Sequence, residues 1–198
     1  MTLAVVTAGR AQQDPTISVI TLAFSTDPVA RWAYADPAEY LAHMPPLGDA
    51  FGGGALDHGT AWCVEGFLGA ALWLPPGQHP DHETLDALFE RTVVEPKRQF
   101  LSEAFEQMGK YHPADPHWYL PLIGIDPGRQ NEGLGSLLMQ HAHAIFDRDG
   151  ALAYLESSNP RNIPFYQRHG YRLLGTIEVG TCPPISPMLR EPRAKAPV

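Results

Sequence analysis

The chain has 198 residues, of which 44% are hydrophobic, and its formal net charge is -8 at neutral pH. These values fit one folded domain and argue against a nucleic-acid partner, because surfaces that follow phosphate backbones are usually basic. No apolar run approaches the roughly 20 residues of a membrane span, so we expect a cytoplasmic protein without a membrane partner. The two cysteines, Cys63 and Cys182, lack metal-binding spacing and are predicted to be free thiols.

The first half of the chain combines short apolar runs with proline-rich turns. Residues 17–24 are rich in β-branched side chains, which by local propensity favours a strand. Three glycines at 52–54 indicate a mobile loop, because no helical pattern follows them. We further predict a strand at 3–7, two strands around a turn at Glu65 and Gly66 within 61–74, and helices at 37–44, 85–92 and 100–108.

The stretch from Trp118 to Gly170 carries the most information. Residues 118–125 are a short apolar run closed by Asp126-Pro127-Gly128, which predicts a strand buried on both faces. The residues just before the next helical pattern are Gln130, Asn131, Glu132, Gly133, Leu134, Gly135 and Ser136. The two glycines therefore lie where a strand turns into a helix.

This position favours an anion. The first turn of a helix leaves backbone N–H groups unpaired and carries about half a positive charge from the helix dipole. Gly133 and Gly135 have no Cβ, so their backbone can approach phosphate oxygens closely. The pattern predicts a phosphate-binding turn that needs no cluster of lysines or arginines.

A second strand and helix follow. Residues 151–156 predict a short strand, and Ser157-Ser158-Asn159-Pro160 is a turn and capping cluster. The next segment, 161–170, predicts a short helix that carries Phe165 and Tyr166 and ends at Gly170. We expect two closing strands at 172–179 and 185–189.

The order of strand, Gln-x-x-Gly-x-Gly turn, helix, strand and Asn-x6-Phe-Tyr-x3-Gly-Tyr resembles the acetyl-CoA-binding core of the GNAT superfamily of N-acyltransferases. More narrowly, Leu-Glu-Ser-Ser at 155–158 and the run at 160–171 look like puromycin N-acetyltransferase and its relatives. The resemblance covers about sixty residues, and its N-terminal part is loose. It therefore indicates the superfamily but does not identify the acceptor.

The resemblance implies an α/β (α+β) fold with a central mixed, mostly antiparallel twisted sheet, splayed parallel strands and flanking helices. It also implies a helix at 17–24, in place of the strand that local propensity favours. We expect one domain at 1–190 with its cofactor-binding core at 115–175, a flexible tail at 191–198, and a possible homodimer.

The resemblance also implies acetyl-CoA as cofactor and direct attack of an amine on its thioester in a ternary complex. Tyr166 aligns with the family tyrosine whose hydroxyl lies near the sulfur, so it is the candidate acid. Backbone groups at 123–125 would pair with the pantetheine arm, and the N–H of Ile125 is a candidate to polarise the thioester carbonyl. The predicted cofactor-binding residues are Ile123, Gly124, Ile125, Gln130, Asn131, Glu132, Gly133, Leu134, Gly135, Ser136, Asn159, Phe165 and Tyr166.

The base and the acceptor site are less defined. Glu156, at the end of the second strand, is the first candidate base, with His112, His117 or a chain of water molecules as alternatives. Trp32 and Tyr34 are the predicted acceptor-binding residues, with Phe51 nearby in the same role. Trp73 lies in an apolar strand and is interpreted as a core residue. No metal site is predicted.

We therefore predict an acetyl-CoA-dependent N-acetyltransferase that acts on the primary amine of a small molecule. One alternative is a non-catalytic acyl-CoA-binding or scaffold protein, because many relatives have glycine and a basic residue where this chain has Asn131 and Glu132, and because 118–125 lacks a carboxylate. The other alternative is a protein or peptide N-acetyltransferase, which would need an open groove.

Overall fold

The computed structural model describes residues 3–193, which form a seven-stranded sheet in the order β1-β2-β3-β4-β5-β7-β6. The strands are β1 (Val5–Ala8), β2 (Ala61–Val64), β3 (Gly69–Leu74), β4 (His117–Ile125), β5 (Leu152–Ser157), β6 (Arg172–Leu173) and β7 (Ser186–Arg190). The helices are α1 (Gln13–Ala23), α2 (Pro28–Ala33), α3 (Pro37–Gly52), α4 (Gly54–His58), α5 (His82–Thr92), α6 (Lys97–Tyr111), α7 (Leu134–Asp149) and α8 (Ile163–Arg168).

One pair of strands breaks the antiparallel pattern. β4 and β5 run parallel, paired from His117 with Leu152 to Leu120 with Leu155, whereas the other neighbouring strands are antiparallel. Beyond Leu120 and Leu155 the two strands continue without pairing to each other. The predicted α/β class and mixed, mostly antiparallel sheet are confirmed, and a gap opens between the splayed ends of the parallel strands.

Two cores cover the two faces of the sheet. On one face, Ile20 of α1 and Met44 of α3 pack in a cluster with Leu72. On the other face, Leu138 and Phe146 of α7 pack in a cluster with Trp73. Trp73 is fully buried, with its ring centroid 4.8 Å from that of Phe146, so its interpretation as a core residue is confirmed. Burying side chains of this size stabilises the fold by about 1.5–3 kcal/mol each.

The strand favoured at 17–24 by local propensity is wrong, and the helix implied by the resemblance is correct. The segment lies in α1, whose residues Ile17, Val19 and Ile20 are buried. The helix packs closely on β4, because a Cβ at Gly124 would overlap the side chain of Ala23. Tertiary burial therefore overrides the β-branched preference.

The predicted loop at 52–54 and the predicted end of the preceding helix are also wrong. α3 continues past Pro45 and Pro46 to Gly52, and α4 begins at Gly54. An interior proline costs a helix about 3 kcal/mol. Here the buried face of α3, which includes Tyr40 and Met44, offsets that cost by packing against the sheet.

The C-terminal part departs from expectation in one place. The strand predicted at 172–179 is only Arg172–Leu173, followed by an isolated bridge between Ile177 and Ile185. The chain leaves the sheet at Gly175, which packs against the ring of Tyr111. Residues 194–198 of the predicted tail lie outside the described residues. Within 3–193, both cysteines are buried free thiols. None of the helices in this part of the chain combines the length and the hydrophobicity that a membrane span requires.

Candidate active site

The gap between β4 and β5 opens into a cleft of about 750 Å³, here called the polar cleft. Its wall includes the C-terminal end of α1, the turn before α7, and α8. The cofactor-binding residues predicted from sequence that line it are Ile123, Gly124, Ile125, Gln130, Asn131, Gly133, Leu134, Gly135, Ser136, Asn159, Phe165 and Tyr166. The structure therefore brings together residues from two separate segments of the chain.

The edge of β4 forms one side of the polar cleft. Residues 123–125 pair with β3 on one side, through Ile123 with Ala71, Gly124 with Ala70 and Ile125 with Gly69. On the other side β4 has no strand partner beyond Leu120 among the described residues. An extended ligand could therefore pair with this edge as an added strand.

The N-terminus of α7 forms the end of the polar cleft where the sequence predicts anion binding. Gly133, the N-cap, has φ +82°, and Asn131 has φ +66°, a conformation that asparagine tolerates better than most residues. The first helical hydrogen bond runs from the Leu137 N–H to the Gly133 carbonyl, so the preceding amides point outward. A Cβ on Gly135 would lie 3.2 Å from Phe165 Cζ, which explains the small residue there.

Three arginines that the sequence argument did not single out line the polar cleft, namely Arg129, Arg161 and Arg168. Glu132 is exposed and does not line the cleft; its carboxylate accepts from Arg129 Nη2 at 2.7 Å. Glu132, at a position where many relatives have a basic residue, therefore forms an ion pair with Arg129. Arg129 is neutralised by this ion pair, whereas Arg161 and Arg168 supply positive charge at the cleft of an otherwise acidic chain, which suits a phosphate-bearing ligand.

Tyr166 lies at the inner end of the polar cleft and is 6% exposed. Burial, and after it the charge of Asp27, raises the pKa of its hydroxyl above the ordinary value. The group therefore keeps its proton across the physiological range. Asn159 caps the turn before α8 by accepting from the Arg161 N–H at 3.1 Å, which fixes the approach to this helix.

Asp27 is a site residue that sequence reasoning missed. Its Oδ1 accepts from the amides of Val29 and Ala30 at 3.0 Å, and its Oδ2 accepts from Ser158 Oγ at 2.6 Å. Burial raises the pKa of this carboxyl, although these hydrogen bonds act in the opposite direction. The available signal was Asp-Pro at the start of α2, which by itself indicates only an N-cap.

Glu156, His112 and His117, proposed above as alternative bases, lie in one chain. His112 Nε2 is 3.2 Å from Glu156 Oε1, and His112 Nδ1 is 3.1 Å from His117 Nε2. His117 Nδ1 is 2.8 Å from the carbonyl oxygen of Asp115 and must donate to it.

That last contact sets the direction of the hydrogen bond between the two histidines. With Nδ1 of His117 protonated, neutral His117 accepts at Nε2, so His112 donates from Nδ1. His112 Nε2 lies opposite Glu156 Oε1, whose side chain is only 4% exposed, so a hydrogen bond across this contact requires one proton held between the two atoms. Burial lowers the pKa of His117, which favours its neutral form.

A second space, here called the apolar cavity, measures about 110 Å³ and shares five residues with the polar cleft: Phe24, Asp27, Pro121, Glu156 and Ser158. Its other lining residues are Val29, Ala30, Ala33, Tyr34, Met44, Leu47, Phe51, Leu85, Phe89, Leu101, Ala104, Phe105, Met108, Leu122 and Ile185. They come mainly from α2, α3, α5 and α6.

The two predicted acceptor-binding residues lie in different places. Tyr34 lines the apolar cavity, and its hydroxyl is 2.8 Å from Thr92 Oγ1. Trp32 lies outside both spaces, where its Nε1 donates to Thr181 Oγ1 at 3.3 Å and its ring lies under Lys97 Nζ at 5.4 Å.

Comparison with known proteins agrees with this architecture. Residues 102–173 match the family model described as acetyltransferase (GNAT) domain. An uncharacterized N-acetyltransferase of Schizosaccharomyces pombe is 27% identical over 148 residues, which cover 67% of this chain and 60% of that protein. A peptidyl-lysine N-acetyltransferase of Salmonella typhimurium is 24% identical over 125 residues, covering 52% of this chain and 84% of that protein.

Solved structures extend the likeness over nearly the whole chain. One described as histone acetyltransferase HPA2 and related acetyltransferase, from Corynebacterium glutamicum, has a TM-score of 0.67 and 23% identity, covering 98% of this chain and 99% of its own. A polyamine N-acetyltransferase of Drosophila melanogaster has a TM-score of 0.65 and 14% identity, covering 96% and 100%. The fold is therefore the GNAT fold, and the family model supports a GNAT acetyltransferase domain. These matches do not show the closer resemblance to puromycin N-acetyltransferase.

Proposed function

We propose that this protein is an acetyl-CoA-dependent N-acetyltransferase that acts on the primary amine of a small molecule. The observation that carries the proposal is the meeting of two spaces at one point. The polar cleft and the apolar cavity share Asp27 and Glu156, and Tyr166 lines the cleft close enough for the charge of Asp27 to act on its hydroxyl. Two substrates that enter from opposite sides would meet among three groups able to bind or transfer protons.

The residues of the polar cleft fit coenzyme A. The free edge of β4 suits an extended amide-bearing arm, and the unpaired amides at 134–136 suit a diphosphate. Arg161 and Arg168 add positive charge around the same space. Acetyl-CoA supplies an acetyl group activated as a thioester.

Two protons must move during the transfer, and the site has a group for each. The acceptor arrives mainly as an ammonium ion and must lose a proton before its nitrogen attacks. Glu156 is buried beside His112, so it is the proposed proton acceptor, and His112, whose side chain is 26% exposed, would pass the proton to solvent. Tyr166 remains protonated and is the proposed donor to the departing sulfur.

Asp27 has a different proposed part. Its carboxylate already accepts three hydrogen bonds, two from backbone amides and one from Ser158. A group so fully engaged is better suited to holding an ammonium ion by charge than to leaving its position with a proton. We assign Asp27 to binding the acceptor and Glu156 to deprotonating it.

Lysine acetylation in proteins is the second candidate, supported by the name of the Salmonella relative and the description of the Corynebacterium structure. A lysine side chain would have to reach the shared residues from outside. The apolar cavity is small, about 110 Å³, and is lined mainly by apolar side chains, which favours a small molecule over a peptide.

The proposal is tested in two stages. Calorimetric titration with acetyl-CoA and then CoA should show binding of both. Thiol release from acetyl-CoA should then appear with at least one amine of a broad panel that includes a lysine-bearing peptide. Absence of binding would overturn the cofactor assignment. Binding without thiol release across the panel would instead favour a non-catalytic acyl-CoA-binding protein.

A further inference from the structure

The apolar cavity contains almost no polar surface beyond its mouth. Asp27, Glu156 and Ser158 lie where it meets the polar cleft. Farther in, the one polar side chain that lines it is Tyr34, whose hydroxyl lies 2.8 Å from Thr92 Oγ1. Because the Thr92 hydroxyl itself donates to the Leu88 carbonyl at 2.7 Å, Tyr34 donates to Thr92 and has no hydrogen left for a ligand.

This distribution of charge selects amines by the group at the end of the molecule opposite the reacting nitrogen. One ammonium group at the mouth would face two carboxylates. A second cation at the other end of the molecule, as in a polyamine or a guanidino amine, would enter the apolar part, where a charge without a partner is strongly disfavoured. The cavity therefore matches an acceptor with one charge at one end and an uncharged, apolar body.

The aromatic lining of the cavity favours a ring. Its volume of about 110 Å³ is below the ~150 Å³ of an apolar cavity that binds benzene, so the space limits the acceptor to a single ring at most. Phe51 and Phe105 meet edge to face with ring centroids 5.9 Å apart, and Phe89 lies 5.8 Å from Phe105. Aromatic rings prefer such edge and offset contacts, and three of them border this space.

We propose that the acceptor is a primary monoamine whose short chain carries a single apolar ring, with the ring in the apolar cavity and the ammonium group at Asp27 and Glu156. This inference rests on the proposed function and adds the substrate class to it. The lining of the polar cleft does not identify the acceptor, because it would bind the same cofactor whichever amine is acetylated.

The test compares amines that differ in one feature. Thiol release is measured with 2-phenylethylamine, ethylamine, agmatine and a lysine-bearing peptide at saturating acetyl-CoA. We expect kcat/KM for 2-phenylethylamine to exceed that for agmatine at least ~100-fold, because a methylene alone is worth about 10- to 200-fold in such pockets and a buried charge costs more.

A filling substitution locates the ring. Ala104 lies on α6, is 1% exposed and lines the apolar cavity, so A104L should remove space for the ring. The ratio of kcat/KM for 2-phenylethylamine to that for ethylamine should fall at least ~10-fold. A87L makes the same change at an exposed position of α5 outside both spaces, and its ratio should equal that of the parent chain.

A33L, at a half-buried position of α2 that also lines the cavity, provides a second filling variant if A104L does not fold. A preference for agmatine or the peptide, or an unchanged ratio in a folded filling variant, would overturn the inference and leave the proposed function standing. Bound acetyl-CoA with no thiol release from any amine would overturn the proposed function, and this inference with it.

Discussion

The polar cleft and the apolar cavity are built in opposite ways. The cleft is wide, carries three arginines, and takes most of its lining from two continuous stretches, 120–136 and 156–168. The cavity is small and apolar, and its lining is scattered from Phe24 to Ile185 over four helices and the sheet. A ligand that does not vary can be bound by the backbone amides of a short sequence motif. An acceptor that varies between proteins is selected instead by side chains from distant parts of the sequence, which tertiary folding brings together.

The largest expected effect concerns the point where the two regions meet. Tyr166→Phe should lower turnover by roughly 10²- to 10⁴-fold, because the proposed proton donor is removed and the ring that packs α8 is kept. The dissociation constant for acetyl-CoA, measured by calorimetry, should change much less.

Tyr171→Phe is the matched control. Tyr171 is also a buried tyrosine, and its hydroxyl contacts His143 rather than the polar cleft. Its variant should keep parental turnover. Equal turnover in Y166F and the parent would remove Tyr166 from the mechanism and reduce the cleft to a binding site.

The second prediction separates the two carboxylates shared by both regions. Glu156→Gln should lower kcat by about 10²-fold with little change in KM, since it removes the proposed proton acceptor. Asp27→Asn should mainly raise KM, because asparagine keeps an oxygen for the amides of Val29 and Ala30 but lacks the charge that faces an ammonium ion. Steady-state kinetics at saturating acetyl-CoA distinguishes the two outcomes, and the reverse pattern would exchange the two roles.

The contrast between the regions also explains what sequence could reveal. The strand at 118–125, the glycine turn and the helix with Tyr166 are local patterns, so their order predicted the fold and most of the lining of the polar cleft. Asp27 has no such pattern: a buried carboxylate and an ordinary N-cap have the same sequence. Its role depends on Ser158, which lies 131 positions away along the chain.

The acceptor side was hardest for the same reason. Trp32 and Tyr34 are two residues apart, yet they point to different surroundings, because α2 ends between them at Ala33. The proline pair at 45–46 led to a predicted helix that is too short. The sequence therefore did not place Phe51 in α3, beside the cavity. Only tertiary packing decides which aromatic residues of such segments face a shared space.

The third prediction probes the charge at the polar cleft. Arg168→Gln should weaken acetyl-CoA binding by about 3- to 10-fold at low salt, since an exposed guanidinium contributes a screened attraction to phosphate. The difference from the parent should shrink as salt is raised in calorimetric titrations. Arg172→Gln removes the same charge at an exposed position of β6 outside the cleft. An equal loss in both variants would mean that net charge, rather than this site, attracts the cofactor.

The smallest effect on activity is expected beneath the cleft, in helix α7, which follows the predicted phosphate-binding turn. His143 of α7 is buried, and its Nε2 lies 3.1 Å from the Tyr171 hydroxyl; burial, and after it the charge of Arg190, lowers its pKa from 6.5 to about 3. The unfolded chain therefore binds a proton at pH values where the folded chain does not. Between pH 6.5 and about 3, this group lowers the free energy of unfolding by at most about 1.4 kcal/mol for each unit of falling pH.

His143→Gln removes that titration, so its free energy of unfolding should fall less steeply with pH than that of the parent. Urea unfolding between pH 7 and pH 4.5 measures the two slopes. Turnover of folded H143Q at pH 7 should stay near that of the parent, because His143 lines neither space. A large loss of turnover with unchanged stability would instead mean that packing around His143 affects the geometry of the predicted phosphate-binding turn. The helix would then be more than a passive support for the polar cleft.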